Sequence, residues 1–143
     1  MTTTLNLKRV LAIDYGTKRV GLALTDPLLT FAYPFKTLLN NKKMWEHFQN
    51  IIEEKGINKI ILGFPAREDG KDSKLMPAIN KFKDKLEKLF KLEIILWDET
   101  YTSRISEKRI QDTRKKKKDR KDKGLIDSNA AAIILQEYLD SKH

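Results

Sequence analysis

The sequence predicts an α/β domain whose sheet has an antiparallel part and a parallel part. Apolar runs of strand length, joined by turn residues, open the chain. Later apolar runs alternate with longer segments whose apolar residues recur at helical spacing. Neighbouring strands joined by turns form antiparallel hairpins, whereas strands that alternate with helices form parallel units with right-handed crossovers. The length of 143 residues is that of one domain, so we expect a single domain over residues 1–143.

The first strand, Val10 to Ile13, is predicted to be central in this sheet. Its continuous apolar run is typical of a strand that is covered on both faces. Asp14 follows at its carboxyl end, Tyr15-Gly16-Thr17 forms a turn, and Val20 to Leu24 is a second strand. A carboxylate at the exit of a central strand lies where open α/β sheets bind ligands. An Asp there often accepts only the hydrogen bonds of the following turn, and this stretch leaves both interpretations open.

The other elements are predicted from apolar runs of strand length and from apolar residues that recur at helical spacing. Apolar runs predict three further strands, at Pro34–Leu39, Lys59–Leu62 and Leu92–Trp97. Apolar residues at helical spacing predict one helix that begins near Met44 and ends before Gly56, and a second from Leu75 to Leu89. A third helix is expected at Ser103–Asp112, and a last helix starts near Ile126. Gly56 is a C-terminal stop signal, and Pro77 restricts the start of the second helix because proline is tolerated only in the first turn.

Composition excludes several classes of protein. The chain has no cysteine, so it holds neither disulfides nor a thiolate metal site, and a reducing cytoplasm fits. No apolar run reaches the roughly 18 residues that a membrane span needs, and the start of the chain lacks the apolar core of a signal peptide. His47 and His143 are the only histidines, which leaves little for histidine-based acid–base or zinc chemistry. We expect a soluble cytoplasmic protein with no membrane partner.

Positive charge is concentrated in one segment, Arg114–Lys123. This segment has eight basic and two acidic residues, so it holds +6 of the chain's net charge of +9. A basic block of this kind usually binds a polyanion, most often nucleic acid, although some are solvated loops that only aid solubility. The block has no apolar residue that would pack into a core, so we expect residues 113–124 to form a flexible basic segment.

Three carboxylates have positions that the predicted topology brings to one edge of the sheet. Asp14 ends the first strand, Glu99 follows the strand at Leu92–Trp97, and Asp127 opens the last helix. Converging carboxylates repel one another unless cations hold them, and the hard cations Mg²⁺ and Mn²⁺ prefer oxygen ligands. Two such ions clamp the attacking and leaving oxygens of a phosphodiester. Alternatives stay open, because Asp127 also suits a helix cap, Glu99 an ordinary surface position, and Asp98 the place of Glu99.

Several short motifs, in this order and spacing, resemble those of the YqgF/RuvX family. They lie between Val10 and Leu139 and are Asp14 to Gly21 (DYGTKRVG), Gly63-Phe64-Pro65, Glu68-Asp69-Gly70, Asp98-Glu99 with Thr102-Ser103, and Asp127 with Ala130 to Gln136. The family groups Holliday junction resolvase and pre-ribosomal-RNA nuclease proteins with a ribonuclease H-like fold. The resemblance implies a mixed five-stranded sheet flanked by helices, with three antiparallel opening strands and two parallel additions.

The resemblance also implies that Asp14, Glu99 and Asp127 form a metal-binding, catalytic triad. We therefore expect a Mg²⁺- or Mn²⁺-dependent endonuclease that hydrolyses phosphodiester bonds of structured RNA or branched DNA, foremost in the processing of ribosomal RNA precursor ends. One departure matters, because the family usually has Arg after the Asp-Glu pair, whereas this chain has Thr100. Arg contacts phosphate through two parallel hydrogen bonds, which Thr cannot reproduce.

Basic residues are expected to contact the nucleic-acid backbone, with Arg104 or Arg19 in place of the missing Arg. The full predicted set is Lys18, Arg19, Arg104, Arg114, Lys115, Lys116, Lys117, Lys118, Arg120, Lys121 and Lys123. Two other functions stay open: a non-catalytic RNA-binding ribosome-assembly factor, and an actin- or sugar-kinase-like ATPase, whose fold also opens with a strand and Asp-x-Gly-Thr. The ATPase is disfavoured because 143 residues leave no room for its second domain. The sequence is compatible with a monomer or a homodimer.

Overall fold

The structure is a computed structural model of the chain, and it describes residues 8–64, 75–98 and 122–142, with only the backbone of residues 122–127. These ranges contain five strands: β1 Arg9–Asp14, β2 Arg19–Thr25, β3 Ala32–Leu39, β4 Ile57–Phe64 and β5 Glu93–Asp98. They also contain three helices: α1 Met44–Lys55, α2 Met76–Phe90 and α3 Asp122–Ser141. All five predicted strands are confirmed, as are three of the predicted helices. The helix predicted at Ser103–Asp112 lies outside the described residues.

β1 is the central strand of a five-stranded sheet with the order β3-β2-β1-β4-β5. It pairs antiparallel with β2, which pairs antiparallel with β3. On its other side β1 pairs parallel with β4, which pairs parallel with β5. The predicted mixed sheet, with three antiparallel opening strands and two parallel additions, is therefore confirmed.

The sheet separates two hydrophobic cores, because side chains alternate between its two faces. Leu11 and Ile13 of β1 pack into one core together with buried residues of α1 and α2. Val10 and Ala12 pack into the second core, which α3 covers. None of these four side chains is more than 4% exposed, so β1 is covered on both faces, as its apolar run predicts.

Small residues let α3 lie close to the sheet, and Ala130 to Ala132 are buried there. The helix begins at Asp122, earlier than the start predicted near Ile126, so Gly124 lies inside it. One internal glycine costs a helix only about 1 kcal/mol, and an Asp at the amino end is favoured by the helix dipole. The last residues of the predicted flexible segment 113–124 are therefore helical.

The ends of α1 and α2 agree with their sequence signals. Gly56 follows α1 with a φ of 67°, in the left-handed region, and its N–H donates to the carbonyl of Ile52. Pro77 lies in the first turn of α2, where its missing N–H leaves no helical hydrogen bond unmade. In the described part of the chain, no helix is long and apolar enough to cross a membrane.

The two ends of the sheet carry different groups. At the carboxyl edge, β1, β4 and β5 end at Asp14, Phe64 and Asp98, β2 begins, and β3 ends. At the amino edge, β1 and β4 begin, and the loop Asp26–Phe31 connects β2 to β3. Residues that follow parallel strands meet at the carboxyl edge, which is where α/β sheets bind ligands.

Candidate active site

Asp14 is a carboxylate that the fold holds almost out of solvent. It ends the central strand and is 8% exposed. Side chains alternate between the two faces along β1, so the side chain of Asp14 lies on the same face as those of Val10 and Ala12. This is the face that α3 covers. Burial of a carboxylate is costly unless hydrogen bonds or opposite charges compensate it. A carboxylate at the exit of the central strand, where open α/β sheets bind ligands, is a candidate functional group.

Glycines flank Asp14 on both neighbouring strands. In the register of the sheet, Asp14 pairs with Gly21 of β2 and with Gly63 of β4. Paired residues carry their side chains on the same face of a sheet, and glycine has none. The row continues outward to Thr37 of β3 and Trp97 of β5. No side chain on either adjacent strand therefore fills the space beside the carboxylate. An ion or a phosphate group would need this space to bind there.

The turn after Asp14 is anchored on both sides. The N–H of Tyr15 donates to the carbonyl of Gly63 at 3.1 Å, which extends the pairing of β1 with β4. On the other side, the side-chain amide of Asn40 donates to the carbonyl of Gly16 at 2.8 Å. The backbone N–H of Asn40 donates to the carbonyl of Lys18 at 2.9 Å. The backbone that presents Asp14 is thus fixed by β4 and by the end of β3.

Sequence reasoning missed the roles of Asn40 and of the two flanking glycines. Asn40-Asn41 indicates a turn or a helix cap, and nothing local shows that Asn40 reaches the turn after β1. That contact exists because Arg19 pairs with Leu39, which brings the end of β3 beside the start of β2. The position of Asn40 directly after β3, together with its side-chain amide, is the sequence feature that would have indicated this role.

The backbone of α3 runs toward the edge that carries Asp14. Leu139 and Lys142, near the end of α3, line the same groove as Val10 at the amino edge, so the helix runs antiparallel to β1. From Leu139 back to Asp127 the helix rises by about 18 Å, and β1 rises by about 13 Å from Val10 to Asp14. The helix is therefore long enough to bring the backbone of Asp127 level with the carboxyl edge.

Side-chain contacts tie α3 to β4 and β5. The indole N–H of Trp97 donates to Oε1 of Glu137 at 3.3 Å, and its ring centroid lies 6.1 Å from that of Tyr138. Nζ of Lys59 donates to the hydroxyl of Tyr138 at 2.8 Å, and this hydrogen bond raises the pKa of Lys59 above its ordinary value. The strand that leads to the Asp98-Glu99 pair is thereby held against the helix that contains Asp127.

Asp98 ends β5 on the opposite face from Asp14. Trp97 packs against the core beneath α3, so alternation puts the exposed side chain of Asp98 on the face of α1 and α2. Glu99 lies outside the described residues. Within residues 8–64, 75–98 and 122–142, no three side chains of His, Cys, Asp or Glu are grouped so as to hold a metal ion. Because this leaves out Glu99 and the side chain of Asp127, the triad stays a prediction.

Two of the residues that are predicted to contact nucleic acid lie at the carboxyl edge of the sheet. Lys18 is exposed in the turn after Asp14, and Arg19 is half-buried at the start of β2. Arg104 and the basic residues between 114 and 121 lie outside the described residues, and Lys123 lies in the part of α3 described by its backbone.

The chain resembles known proteins over nearly its whole length. It matches the model of the RuvX family, described as Holliday junction resolvase, over residues 8–141. A candidate pre-16S rRNA nuclease of Chlorobaculum tepidum is 35% identical over 135 residues, which cover 94% of each chain. A protein of the same name from Azobacteroides pseudotrichonymphae is 38% identical over 133 residues, or 92% of this chain and 96% of the relative.

A solved structure agrees with the expected fold. T. thermophilus RuvC in complex with a Holliday junction substrate aligns with a TM-score of 0.50 at 11% identity, covering 94% of this chain and 95% of that one. At this identity the likeness shows the fold alone. The ribonuclease H-like fold expected from the sequence motifs is confirmed.

Replacing Gly16 with alanine is expected to destabilise the turn that presents Asp14. A Cβ at Gly16 would overlap the carbonyl oxygen of Arg19, which is backbone and has little freedom to move away. We expect Gly16→Ala to lower the free energy of unfolding by about 1–3 kcal/mol, measured by urea denaturation. Thr17→Ala, at the exposed neighbouring position, is the control and should stay within about 0.5 kcal/mol of the parent. Equal stability of the two variants would contradict the close contact.

Proposed function

Because the chain belongs to the RuvX family of Holliday junction resolvases, we propose that it hydrolyses phosphodiester bonds of structured nucleic acid with the help of divalent metal ions. The observation that carries this proposal is the nearly buried carboxylate of Asp14, which lies between two glycines at the exit of the central strand. Metal-dependent hydrolysis of a phosphodiester uses groups of this kind to hold cations where charge develops.

Asp14, Glu99 and Asp127 are the proposed metal ligands and the catalytic triad. Their oxygen atoms are the donors that Mg²⁺ and Mn²⁺ prefer, and the chain has no cysteine to favour a softer metal. Glu99 is preferred to Asp98 as the second ligand because Asp98 lies on the face of the sheet away from Asp14. Metal ions held by these residues would lower the pKa of a bound water and would offset the negative charge of the phosphate.

The residues around Asp14 would position the carboxylate and the substrate. The hydrogen bond from Tyr15 to Gly63 and the hydrogen bond from Asn40 to Gly16 fix the turn that follows Asp14, so the backbone that carries the carboxylate is preorganised. Exposed Lys18 is available to contact a backbone phosphate near this edge. Arg19 or Arg104 would supply the phosphate contact that Thr100 cannot make.

The proposed substrate is a ribosomal RNA precursor, and the proposed location is the cytoplasm. Relatives at 35% and 38% identity are named for pre-16S rRNA, whereas the family description names the Holliday junction. Branched DNA is therefore the second substrate to test. The net charge of +9, concentrated in Arg114–Lys123, favours either polyanion.

Asp14→Asn is expected to abolish cleavage of a labelled pre-16S rRNA fragment or a four-way DNA junction while leaving the fold intact. Asn is nearly isosteric with Asp but lacks the charge that holds a divalent ion, so we expect at least about a hundredfold loss of the cleavage rate. Glu99→Gln and Asp127→Asn should behave likewise, whereas Asp98→Asn should cleave like the parent.

The matched control is Asp84→Asn, which changes an exposed carboxylate on α2. Normal cleavage by folded Asp14→Asn would remove Asp14 from the catalytic role. A parent protein that binds the RNA but cleaves neither substrate would favour the non-catalytic assembly factor.

Mg²⁺ or Mn²⁺ is expected to support the activity, and Zn²⁺ is not expected to be required. The proposed ligands are all oxygen atoms, which suit hard cations. Cleavage should stop after exhaustive chelation and return when either ion is added, as followed on a labelled substrate. Activity that survives chelation would contradict the metal mechanism and leave the fold and family unaffected.

The segment Arg114–Lys123 is expected to contribute affinity and not chemistry. On duplex DNA, each phosphate contact contributes about −0.9 to the slope of the logarithm of the binding constant against the logarithm of the salt concentration. Loss of about four contacts should therefore make this slope shallower by roughly 3–4 units. The variant to test replaces the basic residues of the segment with Gln, and the rate at saturating substrate should change little. Replacing Lys81, Lys85 and Lys88 of α2 with Gln removes three positive charges outside the segment and shows how far a loss of charge elsewhere changes the salt slope. An unchanged salt slope in the segment variant would show that the segment is only a solvated loop.

A further inference from the structure

The loop Asp26–Phe31 at the amino edge is held in one conformation by its own polar groups. Oδ1 of Asp26 accepts hydrogen bonds from the N–H groups of Thr30 and Phe31, each at 2.7 Å. The N–H of Leu29 donates to the carbonyl of Asp26 at 3.0 Å. The hydrogen bonds from Phe31 and Thr30 hold the pKa of Asp26 below its ordinary value, so the carboxylate stays charged at neutral pH. Nearby, Oε1 of Gln136 on α3 accepts the N–H of Ala32 at 2.9 Å.

This fixed loop presents large apolar side chains to solvent. Leu28 is 74% exposed and Phe31 is 65% exposed. Leu29 has a φ of 58°, in the left-handed region that a leucine rarely adopts. Strain of this kind persists only where the surrounding structure imposes it, and it concentrates at functional segments. Exposed apolar groups on a well-fixed loop indicate an interaction surface.

Leu28 and Leu29 form one wall of a groove of about 640 Å³ between this loop and the end of α3. The apolar lining continues through Val10 and Leu139. Three lysines also line the groove: Lys8, Lys59 and Lys142. Among the described residues, no carboxylate is part of the lining.

Two of these lysines are held beside one aromatic ring. Nζ of Lys59 lies 5.5 Å and Nζ of Lys142 lies 5.3 Å from the ring centroid of Tyr138. Nζ of Lys59 also donates to the Tyr138 hydroxyl and lies 3.8 Å from Oε1 of Glu93 at the start of β5. The groove thus combines an apolar floor with positive charges of defined position.

We propose that this groove docks an acidic, amphipathic segment of a partner protein. Large apolar side chains of the segment would cover Leu28 and Leu29, and its carboxylates would pair with Lys8, Lys59 and Lys142. Charge complementarity selects this occupant, because a second copy of a chain with a net charge of +9 would bring further positive charge to the same lysines. A nucleic-acid backbone would satisfy the lysines but would leave the leucines without an apolar partner.

The position of the groove makes docking compatible with the nuclease. It lies at the amino edge, whereas Asp14 lies at the carboxyl edge, so a bound segment would not cover the proposed active site. The proposal stands on the groove alone and does not rest on the proposed function. A partner protein bound here would recruit this chain to a complex without competing with the substrate for the proposed active site.

Selection from a random-peptide phage library against the full-length protein tests the proposal without a known partner. We expect the enriched peptides to combine acidic residues with large apolar residues. Their affinity, measured by fluorescence anisotropy on synthetic peptides, should fall at least about tenfold for Leu28→Ser and for the double variant Lys8→Glu/Lys142→Glu. Leu89→Ser and Lys88→Glu, at exposed positions of α2, are the matched controls and should bind like the parent.

Three results would overturn the proposal. The first is that selection enriches no peptides, or peptides that lack carboxylates or bind Leu28→Ser as tightly as the parent. The second is a dimer that sedimentation shows to depend on Leu28, which would make a second copy the occupant. The third is that Lys8→Glu/Lys142→Glu weakens RNA binding and no peptide binding is found. Leu28→Ser should fold and cleave like the parent, so failure here is distinct from failure of the nuclease proposal.

Discussion

The fold depends on covering both faces of β1. Leu11, Ala12 and Ile13 are completely buried, so the strand needs a hydrophobic layer on each side. α1 and α2 provide one layer and α3 provides the other. Full burial of one leucine or isoleucine side chain stabilises the protein by about 1.5–3 kcal/mol, so the loss of either layer would be a large part of its stability. The helix that contains Asp127 is therefore held in place by packing on the strand that ends at Asp14.

The same constraint decides where a polar residue fits in the central strands. Thr25, which is completely buried, accepts a hydrogen bond from the N–H of Val10 at 3.0 Å, and this contact serves the fold. Asp14 carries a charge as well, so its burial requires more compensation than a hydroxyl does. It stands at the last position of β1, between glycines and beside a turn fixed by Asn40. Asp14 thus differs from Thr25 in standing at the exit of the strand, at the edge where open α/β sheets bind ligands.

Local pattern predicts most of this architecture, and long-range pairing accounts for what it misses. The apolar run of β1 and the stop at Gly56 reflect burial and backbone preference, which act within a few residues and can be read from the sequence. α3 starts four residues before Ile126, because one glycine at position 124 only weakly disfavours a helix. The contact of Asn40 with the turn after β1 depends on the pairing of β2 with β3, which no local pattern specifies. Motif resemblance supplied Asp14, Glu99 and Asp127 together, but only the register of the sheet reveals the glycines beside Asp14.

The central strand separates two surfaces of different chemistry. Its carboxyl end presents Asp14 beside exposed Lys18, an arrangement suited to cations and phosphate. Its amino end borders a groove where the strained loop Asp26–Phe31 exposes leucines near lysines, an arrangement suited to a protein segment. Because α3 spans the sheet and ends at that groove, both surfaces are built on one packed unit. The side chains around Asp14 and the side chains that line the groove are therefore different residues of the same framework, so either set can be substituted without altering the other.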